Sequence, residues 1–204
     1  MDRPEPDRSH LAGYDPSTAP RFQWREKSPT PKPRVTLETE LGDIEVELYV
    51  KKAPITVANF LHYVDKGYFS QGRFFRTVTL DNQPNDEIKI QVIQAEANPA
   101  WEDQAFDPIV LDRTGDTGVK HLDGTISMAR SGPDTAQHSF FFCVGDQPEL
   151  DFAGKRQPDG QGFAAFGRVV AGMDVVREIH TQPAQGQSLT PPIQINSVAK
   201  TSSN

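Results

Sequence analysis

Gly124-Thr-Ile-Ser-Met-Ala-Arg-Ser-Gly-Pro-Asp-Thr-Ala-Gln-His-Ser-Phe-Phe-Phe-Cys-Val144 is the stretch around which the chain is organised. Thr125-Ile126-Ser127-Met128 alternates polar with apolar side chains, and Ser139 to Val144 is a compact apolar run bounded by turn residues, so both are expected as strands. Ser131-Gly132-Pro133-Asp134 between them has the composition of a turn. Neighbouring side chains on a strand point to opposite faces, so the rings of Phe140, Phe141 and Phe142 cannot all share one environment. In a closed barrel the two environments are a packed interior and an outer surface that is covered by a helix or open to a ligand. Taken alone, the triplet favours plain core packing over a ligand pocket.

The 204 residues provide for one substantial domain plus a tail, and 17 prolines with 15 glycines argue for many turns over long helices. A net charge of -7 disfavours nucleic acid as a partner, since phosphate binding relies on clustered Lys and Arg. The single cysteine, Cys143, excludes an internal disulfide and any multi-cysteine metal site, and its apolar surroundings predict a small buried hydrophobe. No segment approaches the roughly 20 apolar residues of a membrane span, and Met1-Asp-Arg-Pro-Glu-Pro lacks the apolar core of a signal peptide. The expectation is a monomer without membrane or nucleic-acid partners, cytoplasmic as the chain stands and periplasmic if a leader has been trimmed away.

Residues 1–33 hold Pro4, Pro6, Pro16, Pro20, Pro29, Pro31 and Pro33 without a sustained apolar period, and read as an extended or disordered lead segment. Arg21-Phe22-Gln23-Trp24 is the exception, with two aromatics that could dock on the domain. From Arg34 the pattern changes. Val35 to Thr39 alternates, Leu41-Gly42-Asp43 makes a turn, and Ile44, Val46 and Leu48 alternate with charged residues, which predicts a hairpin with one buried face. Pro54 suits a first helical turn, and Val57, Phe60, Leu61 and Val64 have amphipathic spacing up to Gly67. Phe74 to Val78 and Ile88 to Gln94 read as the third and fourth strands, separated by a polar surface loop over Leu80 to Glu87. Ala95 to Asp123 is mostly irregular, with Trp101 large enough to pin it. Beyond the central stretch come a Gly-rich loop to Gly162, a strand over Phe163 to Val169, a short helix from near Ala171, a loop from Pro183 to Pro192, and a closing strand over Ile193 to Val198. The total is a mainly β chain, about eight strands closed into a barrel and capped by two helices.

Gly160-Gln-Gly162-Phe-Ala-Ala165 matches a dinucleotide fingerprint in letters only, because a loop precedes it and a strand follows. The five histidines never fall at zinc spacing near carboxylates, so neither a metal nor a cofactor is expected. His138-Ser139 with Asp134 nearby is no hydrolase triad, since adjacent residues on a strand point apart. Arg76, flanked by Phe74 and Phe75, and Gln94 at the end of the next strand remain. Facing a phenylalanine floor they would supply donors and an apolar wall with no nucleophile, base or metal. The competing reading is a surface arginine whose stem packs on aromatics.

The collinear set Gly42-Asp-Ile-Glu-Val-Glu-Leu, Ala53-Pro-Ile-Thr-Val-Ala-Asn-Phe, Gly67-Tyr-Phe, Phe74-Phe-Arg76, Ile93-Gln94, Gly124-Thr-Ile-Ser-Met-Ala-Arg130, Ser139-Phe-Phe-Phe-Cys-Val144 and Phe166-Gly-Arg-Val-Val-Ala-Gly-Met-Asp-Val175 resembles the cyclophilin family of peptidyl-prolyl cis-trans isomerases, with Met-Ala-Arg most like its bacterial branch. The resemblance spans residues 34–204 and implies a closed, eight-stranded antiparallel cyclophilin-like β-barrel capped by two helices. It implies an enzyme that rotates X-Pro amides in peptides and folding proteins. By position, Arg76 matches the catalytic arginine, Gln94 the pocket glutamine, Ala129 and Arg130 the segment that pairs with the substrate chain, Phe141 the ring under the substrate proline, and Leu150 the pocket wall. Gln91-Val92 stands where the family usually has Phe-Met, Ser139 replaces a pocket glutamine, Phe163 replaces histidine or tyrosine, and Ala95-Glu96-Ala97 replaces glycines. Glu149 replaces the aromatic associated with cyclosporin binding, so cyclosporin should inhibit weakly; nanomolar inhibition would contradict this. These departures leave a second expectation, a catalytically weak module that binds proline-containing segments.

Overall fold

The computed structural model describes residues 32–201. The lead segment expected over residues 1–33, apart from Lys32 and Pro33, and the docking aromatics Phe22 and Trp24 lie outside the described residues. Strands β1 (Arg34–Thr39) and β2 (Gly42–Leu48) form the expected hairpin, pairing Val35 with Val46 and Leu37 with Ile44. All four side chains are fully buried, as the alternation requires.

Helix α1 (Pro54–Asp65) begins without a side-chain cap from its own N-cap residue, Ala53. The carboxylate of Asp112, far along the chain, accepts instead from the Thr56 N–H and hydroxyl, both at 2.8 Å. The helix drives Phe60 into the barrel, edge-on to Phe140 at 5.5 Å and 5.2 Å from both Phe69 and Phe166.

The remaining elements are β3 (Gly72–Val78), β4 (Val92–Glu96), a single turn α2 (Thr114–Thr117), β5 (Thr125–Met128), β6 (Phe140–Cys143), β7 (Ala164–Ala171), α3 (Met173–His180), β8 (Ala184–Gln185) and β9 (Ser188–Thr201). Neighbours run β1-β2-β7-β5-β6-β4-β3-β9, and β9 returns to pair with β1, so eight antiparallel strands close on themselves. The two-residue β8 adds an arm to β9. Helix α3 lays Val175, Val176 and Ile179 against the barrel, and the buried imidazole of His180 bonds the Val78 carbonyl at 2.9 Å. Trp101 does pin the irregular segment, stacking on Tyr68 with centroids 5.2 Å apart.

Element ends shift by a residue or two in several places, and two larger differences from the sequence expectation have a physical reason. The fourth strand starts at Val92 and not at Ile88, because the side chain of buried Gln83 takes both backbone groups of Ile90, donating to its carbonyl at 2.7 Å and accepting from its N–H at 3.2 Å. Those groups are therefore unavailable to a strand partner. The stretch Pro183 to Pro192 is not simply a loop: Gly186, at φ 61°, turns β8 back onto β9, which extends the closing strand to Ser188.

Candidate active site

One row of paired positions crosses the sheet. Arg76 stands opposite Gln94, Gln94 opposite Phe141, and Phe141 opposite Ser127. Paired positions share a face, so these four side chains rise together. Phe140 and Phe142 lie on the other face, within the barrel core, while Phe141 joins a separate outer cluster with Val92, Leu150 and Phe163. The phenylalanine triplet thus divides between the two environments that its alternation demanded.

Phe74 is also in the core, although Arg76, two residues on, faces outward. Regular pleating would send both the same way. The β3 register slips between them: Phe74 pairs with Ala95 and Arg76 with Gln94, leaving Phe75 as a one-residue bulge that reverses the face taken by Arg76.

The outer cluster floors a cleft of about 130 Å³. Of the residues singled out in the sequence, Arg76, Gln94, Phe141, Val92, Ala129, Arg130, Leu150 and Phe163 line it. Gln91 and Ser139 do not. Gln91 alternates with Ile90 and Val92, so Ile90 enters the cleft in its place, and the Gln91 carbonyl accepts from the Val144 N–H at 2.9 Å. Ser139 stands one bond behind: its hydroxyl accepts from Gln94 Nε2 at 3.0 Å and donates to the Ala95 carbonyl at 2.9 Å. That contact turns Gln94 so that its oxygen faces Arg76. His138 and Asp134 are engaged elsewhere, accepting from the backbone N–H groups of Ala97 and Leu111.

Arg76 is gripped by neutral amides. Its Nη1 donates to Gln94 Oε1 at 2.9 Å, and its Nε and Nη2 both donate to Gln187 Oε1. Among the described residues it forms no salt bridge. Burial, and next the nearby charge of Arg156, hold its pKa below the usual arginine value. The remaining guanidinium hydrogens keep their donor capacity, and among the described residues no ion pair occupies them. Gln187 escaped the sequence reading because it sits in the β8–β9 turn, 111 positions away, with no local pattern around it. Its own carbonyl accepts from the Thr77 N–H at 2.9 Å, and its side-chain Nε2 donates to the Asn82 carbonyl at 3.2 Å, so it is itself held.

A second network missed in the sequence lies beneath the floor. The His121 ring stacks under Phe141 with centroids 6.0 Å apart, bonds Asp151 through Nδ1 at 2.8 Å and meets the Ser127 hydroxyl through Nε2 at 2.9 Å. Burial pulls the His121 pKa down despite the opposing influence of Asp151. Burial alone would raise the Asp151 pKa, but its contacts with His121 and Lys120 outweigh that and lower it. The connectivity is that of a hydrolase triad, yet Ser127 is completely buried and no substrate can reach it. The network braces the floor. Cys143, also fully buried, has its thiol pKa pushed well up by desolvation, in keeping with a packing role.

Gly162 packs against the backbone of the cleft residue Leu150. Its φ of +65° and its approach to the Asp151 and Leu150 backbones, where a Cβ would sit 2.5 Å from carbon, need a residue without a side chain. That is what its place in the apparent G-x-G-x-x-A signature serves. Among the described residues no cluster of His, Cys, Asp or Glu could hold a metal, and no helix is long and apolar enough to cross a membrane.

A guanidinium between two amides, beside an aromatic floor on the outside of a closed barrel, offers hydrogen-bond donors and an apolar surface in one cleft. The model of the cyclophilin type peptidyl-prolyl cis-trans isomerase family matches residues 34–200, and the chain belongs to that family. It is 36% identical over 151 residues to peptidyl-prolyl cis-trans isomerase A of Dickeya dadantii, covering 74% of this chain and 72% of that protein. It is 33% identical over 146 residues to peptidyl-prolyl cis-trans isomerase B of Escherichia coli, covering 71% of this chain and 82% of that protein. The crystal structure of a Cryptosporidium parvum cyclophilin type isomerase, in the presence of the dipeptide Ala-Pro, superposes with a TM-score of 0.67 at 18% identity, covering 83% of this chain and 99% of that one. This last likeness concerns the fold.

Proposed function

We propose that this protein catalyses cis-trans rotation of X-Pro amides in peptides and folding chains, with Arg76 as the donor that favours the twisted amide. Resonance gives the C–N bond partial double-bond character and a barrier of roughly 18–20 kcal/mol, so uncatalysed rotation takes tens to hundreds of seconds. At the twist, resonance is broken and the proline nitrogen regains a lone pair. A donor aimed at that nitrogen acts on charge that is absent from both planar isomers, and so lowers the barrier without holding either product.

The observation that carries this reading is the placement of an unquenched Arg76 guanidinium in the same cleft as the Phe141 ring. Phe141, Val92 and Leu150 would hold the proline ring, with Gln94 and the backbone near Ala129 holding the chain. The departures that suggested a weak binding module carry less force in three dimensions. Ile90 restores an apolar wall where Gln91 turns away, and Ser139 serves Gln94 from behind.

Gln187 gives a direct test of how Arg76 must be presented. Gln187→Glu places a carboxylate where a neutral oxygen now accepts two guanidinium N–H groups, which would convert a positioning contact into an ion pair. The expected result is a fall of about tenfold in kcat with little change in KM, because an interaction made in the transition state is weakened. Gln187→Asn, shorter but neutral, should retain more activity than the glutamate variant. Equal kcat in parent and Gln187→Glu would show that the contact does not matter to catalysis.

A further inference from the structure

Three arginines line the cleft, and no aspartate or glutamate does, in a chain whose net charge is -7. They differ in what they have left to give. Arg130 is neutralised by an ion pair: Nε donates to the Gly162 carbonyl at 2.7 Å, and its two terminal nitrogens grip the Asp159 carboxylate at 2.7 and 2.8 Å. That grip holds the Asp159 pKa down to about 2. Arg76 is held by its two amides. Arg156 is half-engaged.

Nη1 of Arg156 donates to the Ile88 carbonyl at 2.6 Å and lies 3.1 Å from Asp86 Oδ2. Among the described residues Nε and Nη2 have no hydrogen-bond partner, and these two share the edge of the guanidinium that receives a carboxylate side-on. The side chain is only 15% exposed, whereas that of Asp86 is 42% exposed, so the acid stands toward solvent and the guanidinium toward the cleft. So exposed a partner offsets little of the charge. Arg156 and Arg76 line the same cleft, where each is a like charge to the other.

We infer that Arg156 selects substrates, its free edge pairing with an acidic side chain next to the proline, so that Glu- or Asp-flanked X-Pro segments are the preferred class. Such a side chain would enter a cleft where a cation is already desolvated and anchored, and ordering that cation adds nothing further to the loss of entropy. A lysine at the same place would meet two positive charges. This rests on the proposed isomerase activity of the cleft.

The test uses the full chain and proline peptides identical except for the residue flanking the proline, on either side in turn: Glu, Gln or Lys. Isomerisation is followed by NMR exchange, which needs no coupling protease. The expected kcat/KM for the better-placed Glu peptide is about fivefold or more above that for Gln, with Lys lowest, since a hydrogen bond to a charged group reaches that size or more. The preference should shrink as salt is raised from 20 to 500 mM, both values being buffer conditions chosen to shorten the screening length to about 4–5 Å. In Arg156→Gln the Glu to Gln ratio should fall to about one, and Arg156→Lys should keep part of it. A parent enzyme indifferent to Glu at both positions, or a ratio unchanged in Arg156→Gln, overturns the inference. If no peptide is accelerated, the isomerase reading fails, and the same comparison of Glu with Gln is read from peptide Kd by calorimetry. Equal affinities would then reject Arg156 as a selector.

Discussion

Arg76→Ala is expected to lower kcat/KM for a proline peptide about a hundredfold, with the fold intact. Loss of one donor aimed at transition-state charge typically costs about 2.7–4 kcal/mol. The fold should survive because the side chain reaches out of the barrel and its protein contacts are two neutral amides at the cleft, whose oxygens water can then serve. The fall should lie in kcat, since on the proposed mechanism planar substrate would rest mainly on the cleft residues Phe141, Val92 and Leu150. Arg76→Lys should recover only part of the loss, a compact ammonium being unable to span Gln94 and Gln187 while still facing substrate. The measurement is isomerisation rate against protein concentration, with circular dichroism to confirm folding. A rate for Arg76→Ala within threefold of the parent would reject the mechanism; that margin is chosen well inside the roughly hundredfold expectation.

Asp151→Ala carries the largest expected effect on stability. It strips the buried His121 imidazole of its 2.8 Å partner and removes the acceptor of the His121 backbone N–H. Leaving buried donors unmatched costs about 2–3 kcal/mol, which for a domain of this size lowers Tm by about 5–10 °C. An unchanged Tm would mean that water or a rearranged side chain replaces the carboxylate. The parent protein should also lose stability on acidification, in two stages. The folded His121 pKa lies below its ordinary value near 6.5, so below that pH the unfolded chain takes up a proton that the folded chain refuses. The Asp151 pKa is lowered too, so a further loss should come as pH falls through the carboxylate range near 4, where the unfolded chain is protonated first. Asp151→Ala should keep the first stage and diminish the second. Thermal melts between pH 7.5 and 4 resolve the two, the range being set about the ordinary histidine and carboxylate values. A parent Tm that rises from pH 7 to 5.5 would contradict the neutral, buried assignment of His121.

The same two residues mark where reading the chain in one dimension stops. His121 and Asp151 are 30 positions apart and neither sits in a local pattern, so only the folded loops reveal them as a pair beneath Phe141. Gln187 and Arg156 escaped for the same reason, each lying in a turn or insert whose composition signals a loop and not chemistry. Ile90 escaped differently. Its expected strand is interrupted by Gln83, a side chain that competes for backbone groups in a way that no hydrophobic period records.

The barrel and the face-by-face division of its strands were legible in the chain alone. Alternation of side chains is a covalent property of an extended chain, so Val35, Leu37, Ile44, Val46 and the split of Phe140 and Phe142 from Phe141 could be read directly. Which way Arg76 faces, and what holds it there, became fixed only in three dimensions. Two residues from a core phenylalanine it should point inward; a single unpaired residue, Phe75, turns it out, and an amide 111 positions along the chain holds it there without an ion pair. A bulge depends on which strands meet and in what register, and that is settled only when the sheet closes.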